Sequence, residues 1–369
     1  MNGYLSTPCF SKQIDGAQIS IYDGRLPFEL GADLERLYQN VFTSSAKFEA
    51  DGEWGDACSY VSVMSGTIRA IFVFRRTHNC VNVLNRVFSV TFAEIDQFAR
   101  AIFFAYSAVS MIRFEAVQSS LVGLGFPHQQ YNCLENIVVT LPSSTTAYFG
   151  ALGKNTRASL KKYQKKVSAE LAGFRCDIYE KADVPEDCVR AIIALSAARI
   201  TNKKMKSSHT EEKTAQLIRL LNEYGSVLVA TINGRVCGGV ICTYFGGNFF
   251  MHVIAHDSDY DAYRLGKVCT FLSIQAAIER GAREYHLLWG RYEYKYRLLG
   301  IQRDYDRILI YRSKLRMVLN LPIYLLVALR GTGRKLRIWL RGANPHDHRP
   351  AARISGAWRE FAARLRFFG

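Results

Sequence analysis

The sequence predicts an α+β fold of two tandem modules, residues 1–145 and 146–312, with a basic helical tail at 313–369. Three observations predict it. Strand and helix patterns recur in the same order in the two halves. Corresponding segments lie near 170 residues apart, and the pairs Leu124-Gly125 and Leu299-Gly300 are offset by 175. Positive charge is concentrated at the C-terminal end. From Arg312 to Gly369 there are 13 Lys/Arg against Asp347 and Glu360, which is +11 of the chain's +16.

The first half opens with a strand at 18–22 and a helix at 33–42. Strands at 60–64 and 68–75 flank Ser65-Gly66, a hairpin signal. A strand at 81–90 follows. The helix at 93–106 carries Ile95, Phe98, Ala99, Ile102 and Phe103 on one face. A strand at 111–117, a Gly-containing turn and a strand at 135–141 complete the module. The second half repeats this order. A helix at 185–199 precedes strands at 226–232 and 236–244, split by Asn233-Gly234. Gly246-Gly247 turns into a strand at 248–255. The helix at 265–280 ends at Gly281. A strand at 284–288, the run Tyr292 to Leu299 and a hairpin-like segment at 307–311 follow.

Between the halves, residues 149–170 carry Lys154, Arg157, Lys161, Lys162, Lys165 and Lys166, with Ala158, Leu160 and Val167 among them. This reads as a basic helix, either a solvated linker or an arm facing phosphate. The nine cysteines show no CxxC spacing and read as reduced core residues, with neither disulfides nor metal expected. Residues 1–10 carry no signal-peptide pattern. The apolar stretch at 318–329 is too short to span a membrane and contains Pro322. A cytoplasmic protein is expected. In the tail, Ile354, Trp358, Phe361, Leu365 and Phe368 fall at helical spacing between arginines. Arg334 to Arg341 has a similar mix. Such a basic amphipathic helix suits the anionic inner face of a membrane, or packing on the body.

A strand, a polar loop and a helix start near Gly266 leave free backbone N–H groups where phosphate is favoured. Arg264, Leu265, Gly266 and Lys267 are therefore candidate ligands for a phosphate-bearing group. The run Trp289-Gly290-Arg291-Tyr292-Glu293-Tyr294-Lys295-Tyr296-Arg297 follows the strand at 284–288 and crowds cations and tyrosines around a glycine.

Several of these pieces carry a family resemblance. One is Phe149-x-x-Leu152-x-Lys154-Asn155-x-Arg157-x-x-Leu160-Lys161. Others are Ala198-Arg199, the hairpin at Asn233-Gly234, and Gly281-Ala282-Arg283-Glu284-Tyr285…Gly290-x-x-x-Tyr294-Lys295-x-Arg297. Together they resemble the GNAT-like acyltransferases of the cellulose-biosynthesis CelD type, relatives of the Fem peptidyltransferases. The resemblance covers residues 145–305 and is architectural over the first half. It implies two tandem GNAT-like modules, the second catalytic. It departs at His286, which stands near a usual aspartate, and in a phosphate loop reduced to Arg264-Leu265-Gly266-Lys267.

The resemblance implies acyl-CoA, acetyl-CoA first, as co-substrate, and an amine or hydroxyl acceptor in envelope or exopolysaccharide synthesis. Acyl transfer needs a base, an oxyanion donor and an acid for the leaving thiolate. His252, read as sharing a strand face with Phe250 and Ile254, and Glu293 are the candidate bases. Tyr294 is the candidate acid, and Lys295, matching the signature lysine, the candidate cation. Arg199, Arg157, Trp289, Gly290 and Arg291 are expected to contact substrate. Two rivals stand beside this. One is a donor on aminoacyl-tRNA, as in Fem relatives, or on an acyl carrier protein. The other is a degenerate, non-catalytic scaffold at the membrane. Nucleic acid other than tRNA is not expected.

Overall fold

A computed structural model describes residues 7–23, 27, 30–202 and 210–342. The amphipathic pattern read at 354–368 lies outside these residues. In the first half the chain runs through β1 (Phe10–Ile14), β2 (Ala17–Asp23), α1 (Gly31–Tyr38), α2 (Ser45–Ala50), β3 (Ala57–Met64), β4 (Thr67–Thr77), β5 (Cys80–Val83), β6 (Phe88–Ser89), α3 (Phe92–Ala105), β7 (Met111–Gln118) and β8 (His128–Thr140). Then come α4 (Thr145–Ala151), the basic helix α5 (Lys154–Glu170), β9 (Phe174–Glu180), α6 (Glu186–Asn202) and α7 (Glu211–Tyr224). The second half continues with β10 (Gly225–Ile232), β11 (Arg235–Phe245), β12 (Asn248–His256), α8 (Leu265–Glu279), β13 (Glu284–Leu288), α9 (Glu293–Arg297), β14 (Ile301–Tyr311), α10 (Lys314–Leu319) and α11 (Leu321–Gly342).

The duplication is visible in the spacing. Starts of β3 and β10, β4 and β11, and β5 and β12 are each 168 residues apart. Starts of α3 and α8, β7 and β13, and β8 and β14 are each 173 apart. The fold is α+β, with two GNAT-like modules in tandem. The sequence reading missed β1, β9, α4 and α7, and began β8 and β14 several residues late. Both late strands begin with mixed polar residues, so hydrophobic alternation gives no signal there.

All strands belong to one 14-stranded sheet, ordered β1-β2-β3-β4-β5-β7-β14-β8-β13-β12-β11-β10-β9, with β6 added beside β7. Three contacts are parallel joins across a helix: β5 and β6 each with β7, and β12 with β13. The central strands are exchanged. β14, from the end of the second half, pairs with β7 of the first. β8, from the end of the first half, pairs with β13 of the second. β14 and β8 then pair with each other from Ile301↔Val138 to Ile310↔His128. The boundary drawn at 145/146 thus runs through a shared sheet.

The cores follow the same exchange. Ile308 and Ile310 of β14 are buried with Phe72, Phe98 and Phe114 in the first-half core. Ile137 and Val139 of β8 are buried with Cys269, Ile274 and Tyr285 in the second. On the opposite face, α1 and α2 cover β3 and β4 through Leu34 and Phe48, and α6 and α7 cover β10 and β11 through Ile192 and Leu221.

A polar chain crosses the exchanged strands. Arg303 on β14 donates to both carboxylate oxygens of Glu284 on β13, at 3.0 and 2.5 Å. His286 Nε2 lies 3.2 Å from Glu284. Its Nδ1 accepts from the Asn136 amide of β8 at 2.8 Å. His286 is 5 % exposed and stacks on Phe250 at 4.4 Å, so the departure from the family aspartate is absorbed as a packed histidine. The nearby His286 and Arg303 hold the Glu284 pKa down to about 2. A folded-state pKa below the unfolded value of about 4.3 gives stability present above that value and lost as pH falls toward 2. Glu284→Gln should therefore lower urea-measured stability by about 1–3 kcal/mol at neutral pH. The deficit should close as both proteins are titrated toward pH 2; a pH-independent deficit would remove the carboxylate from the account.

Candidate functional site

The site begins where two strands part. β12 and β13 pair over three rungs only: Asn248↔Glu284, Phe249↔Tyr285 and Phe250↔His286. Beyond them β12 runs on to His256, paired with β11 alone, so its other edge faces an opening. β13 stops at Leu288, whose φ is +53°, followed by Gly290 at +91°. A side chain at Gly290 would be strained by that φ and would press on the Tyr292 ring.

Lys295 holds this ending in place. It is 3 % exposed. Its Nζ donates to the carbonyls of Leu287 at 2.7 Å, Leu288 at 3.1 Å and Trp289 at 2.5 Å. Those carbonyls have left the ladder with β12, and the ammonium's three donors replace it. Burial pulls the lysine's pKa down to about 8, with Glu135 opposing. It keeps its proton at neutral pH. Lys295, expected to point a cation at substrate, instead spends its donors on the strand end.

A bulge decides which histidine reaches the opening. Ile241 pairs with Val253 but Cys242 pairs with Met251, leaving His252 as the extra residue of β12. His252 stays on the Phe250 face, both rings against Phe42 at about 6 Å. After the bulge the alternation is out of phase, so Ile254 and His256 turn to the opening instead. The expectation that His252 shares a face with Ile254 is corrected by this bulge. His252 Nε2 bonds Thr243 Oγ1 at 2.9 Å, and burial drives its pKa down to about 3. It is a packed neutral ring rather than a base at the cleft.

The start of α8 forms the polar end. Arg264 precedes it in the left-handed region, φ +52°, and no side chain caps the helix. Gly266 sits in its first turn; a Cβ there would stand 3.0 Å from His256 Nδ1. That nitrogen is buried without a hydrogen-bond partner, while Nε2 is 2.8 Å from Asp261. Uncapped N–H groups and a glycine, with Arg264 and Lys267 beside them, make a cradle that an anion would complete. The matching helix α3 is closed: Thr91 and Glu94 form a capping box, placing a carboxylate at that position. There β6 also refills the parting, through Phe88↔Val117.

The cleft between these elements has a volume of about 610 Å³. Its apolar wall includes Leu195 and Ala198 of α6, Ile254 and Leu298, and its charged and titratable groups are Arg199, Asp257, Arg264, Lys267, Glu293, Tyr294 and Arg297, with the His256–Asp261 pair. Burial and the Tyr292 phenol raise the Tyr294 pKa to about 12, Arg199 opposing. Glu293 pairs with Arg297 at 2.6 Å. Lys267 Nζ donates to Ser159 of α5 at 2.8 Å, so the basic helix abuts the cradle.

Of the residues expected at a site, Arg199, Arg264, Gly266, Lys267, Glu293 and Tyr294 line one cleft. The rest lie outside its lining. Leu265 is buried in the core. Arg157 donates to the Gly150 and Leu152 carbonyls, closing the end of α4. Trp289 packs on Phe42 at 5.3 Å, and Arg291 faces Asp304 at 3.7 Å. Sequence reading missed His256 and Asp261; the available signal was their place between a strand end and an uncapped helix start. Among the described residues no group of three or more His, Cys, Asp or Glu could hold a metal ion.

Residues 154–296 match the family model of the acetyltransferase (GNAT) domain. The matched stretch runs from α5 to α9, within the two-module fold. No curated protein matches the chain. Among solved structures, FemX superposes with a TM-score of 0.61 at 8 % identity, over 83 % of this chain and 99 % of that one. The C-terminal domain of a putative lysylphosphatidylglycerol synthetase from Agrobacterium fabrum gives 0.52 at 11 %, over 81 % and 96 %. L-PGS from Bacillus licheniformis gives 0.51 at 13 %, over 84 % and 97 %. At these identities the likeness is one of fold.

The lysine clamp makes a prediction. Lys295→Met leaves three carbonyls without their donor, each costing about 1–3 kcal/mol if buried. Stability from chemical denaturation should drop by about 2–4 kcal/mol. A variant as stable as the parent would show that the ammonium does not hold the strand end.

Proposed function

We propose that the protein is a GNAT-type acyltransferase, moving an acyl group, acetyl in the first instance, from acyl-CoA to an amine or hydroxyl acceptor. The resemblance to CelD-type proteins supports an acceptor in cell-envelope or exopolysaccharide synthesis. One observation carries the reading: the parting of β12 and β13 opens beside an uncapped, glycine-bearing helix start. A pyrophosphate fits the cradle of Gly266, Arg264 and Lys267, and the rest of the donor lies along the opened edge of β12.

In this reading the acceptor nitrogen or oxygen attacks the thioester carbonyl, and its proton passes to Glu293. The β12 edge supplies an N–H to the developing oxyanion. Collapse breaks the C–S bond, and Tyr294, fully protonated well above neutral pH, returns a proton to the thiolate. Arg199 faces Tyr294 from α6 and is placed to hold an anionic part of the substrate. Lys295 acts through geometry, by keeping β13 away from β12.

A second reading keeps the chemistry and changes the carrier. α5 holds Lys154, Lys161, Lys162 and Lys165 in solvent, next to the cradle. A donor on a polyanion, aminoacyl-tRNA or an acidic acyl carrier protein, would suit that surface better than free CoA.

The first test is a thermal-shift series with acetyl-CoA, longer acyl-CoAs and CoA, since a ligand bound only by the folded state raises the melting temperature. Gly266→Val should abolish the shift. No shift with any of them, together with ribonuclease-sensitive or carrier-dependent transfer, would select the second reading. Transfer of labelled acetyl to an extracted glycan should fall about 100-fold in kcat with Tyr294→Phe. Unaltered turnover would take Tyr294 out of the chemistry. An unchanged biological output from the Gly266→Val, Tyr294→Phe double variant would favour a scaffold.

A further inference from the structure

Beyond the cleft, the strongest unexplained feature is the outer face of α10 and α11. Leu315, Val318 and Leu319 of α10, and Leu325, Leu326 and Leu329 of α11, are each between 47 and 71 % exposed. Their spacing places each helix's set on one side. The opposite side of α11 is fixed to the body, so the leucines cannot roll inward. Val327 is 6 % exposed. Gln129 donates to the Tyr324 carbonyl at 3.1 Å, and Arg334 donates to Asn132 at 3.0 Å and pairs with Glu135.

Charge says what covers this face. From Lys314 to Gly342 there are seven Lys/Arg and no acidic residue. Arg316 and Arg330 are exposed beside the leucines. The chain's remaining segment, 343–369, carries five arginines against Asp347 and Glu360. A second copy would bring the same positive surface. Neither offers a complement to a basic rim, whereas anionic lipid headgroups over an apolar interior complement both parts. Among the described residues no helix is long and apolar enough to cross a membrane, so the contact is one of lying on the surface.

We propose that the α10–α11 face docks the protein on an anionic phospholipid bilayer, leucines in the acyl boundary and the flanking cations at the headgroups. This stands independently of the acyl-transfer reading.

The test is co-sedimentation of the full chain with vesicles of phosphatidylglycerol and phosphatidylcholine in equal parts, and with phosphatidylcholine alone. Binding should need phosphatidylglycerol and weaken as salt rises, because headgroup attraction is screened. Leu319→Gln with Leu326→Gln should reduce the bound fraction at least tenfold while leaving the melting temperature unchanged. Should that variant melt lower, Arg316→Gln with Arg330→Gln decides instead, again by loss of binding. Three results would overturn the proposal. They are no binding to anionic vesicles, undiminished binding by both variants, and a parent dimer in light scattering that the leucine variant dissolves.

Discussion

Neither half of this protein closes its sheet with its own last strand, and most of its architecture depends on that constraint. β14 crosses back to β7, β8 crosses forward to β13, and the two meet along ten rungs. Each hydrophobic core then contains residues from the other half's sequence. The modules are a structural repeat without being separable bodies, since cutting between them leaves each core short of a strand. The buried chain from Arg303 through Glu284 and His286 to Asn136 lies across this junction. It fixes the register of β13 at the place where the strand must next part from β12.

The same plan is used differently at the strand parting of each half. In the first half β6 refills the parting and Glu94 brings its own carboxylate to the helix start. In the second half no strand among the described residues refills it, and α8 begins without a side-chain cap. The difference is electrostatic as much as steric. A helix start already holding a carboxylate repels a second anion, whereas one with a glycine, uncapped N–H groups and two cations attracts it. The capped copy and the uncapped copy thus differ at the position where the candidate cradle lies.

Lys295 shows how far residue chemistry can be read without coordinates. Its place in the Tyr-Lys signature marks a residue the fold relies on. A lysine aimed at substrate and a lysine aimed at three carbonyls are nonetheless the same letter in the same pattern. His252 and His256 teach a related point. Both sit on one strand at even spacing, and unbroken alternation would give them one face. A single bulge residue exchanges their environments, one becoming a neutral packed ring and the other a wall of the cleft. A bulge is set by how β11 and β12 pair, so nothing in β12 alone announces it.

The sequence by itself determined the α+β class, the two-fold repetition, the hairpin at Asn233-Gly234, the basic helix α5 and the neighbourhood of the site at Arg264–Lys267 and Glu293-Tyr294. These follow from local periodicity, turn chemistry and charge, which short stretches encode. Only the tertiary structure decided the strand exchange, the parting of β12 from β13, the inward turn of Lys295, the choice of His256 over His252 and the outward leucines of α10 and α11. Each of these depends on which strand edge or helix face finds a partner. That is settled by pairing between segments far apart in the chain.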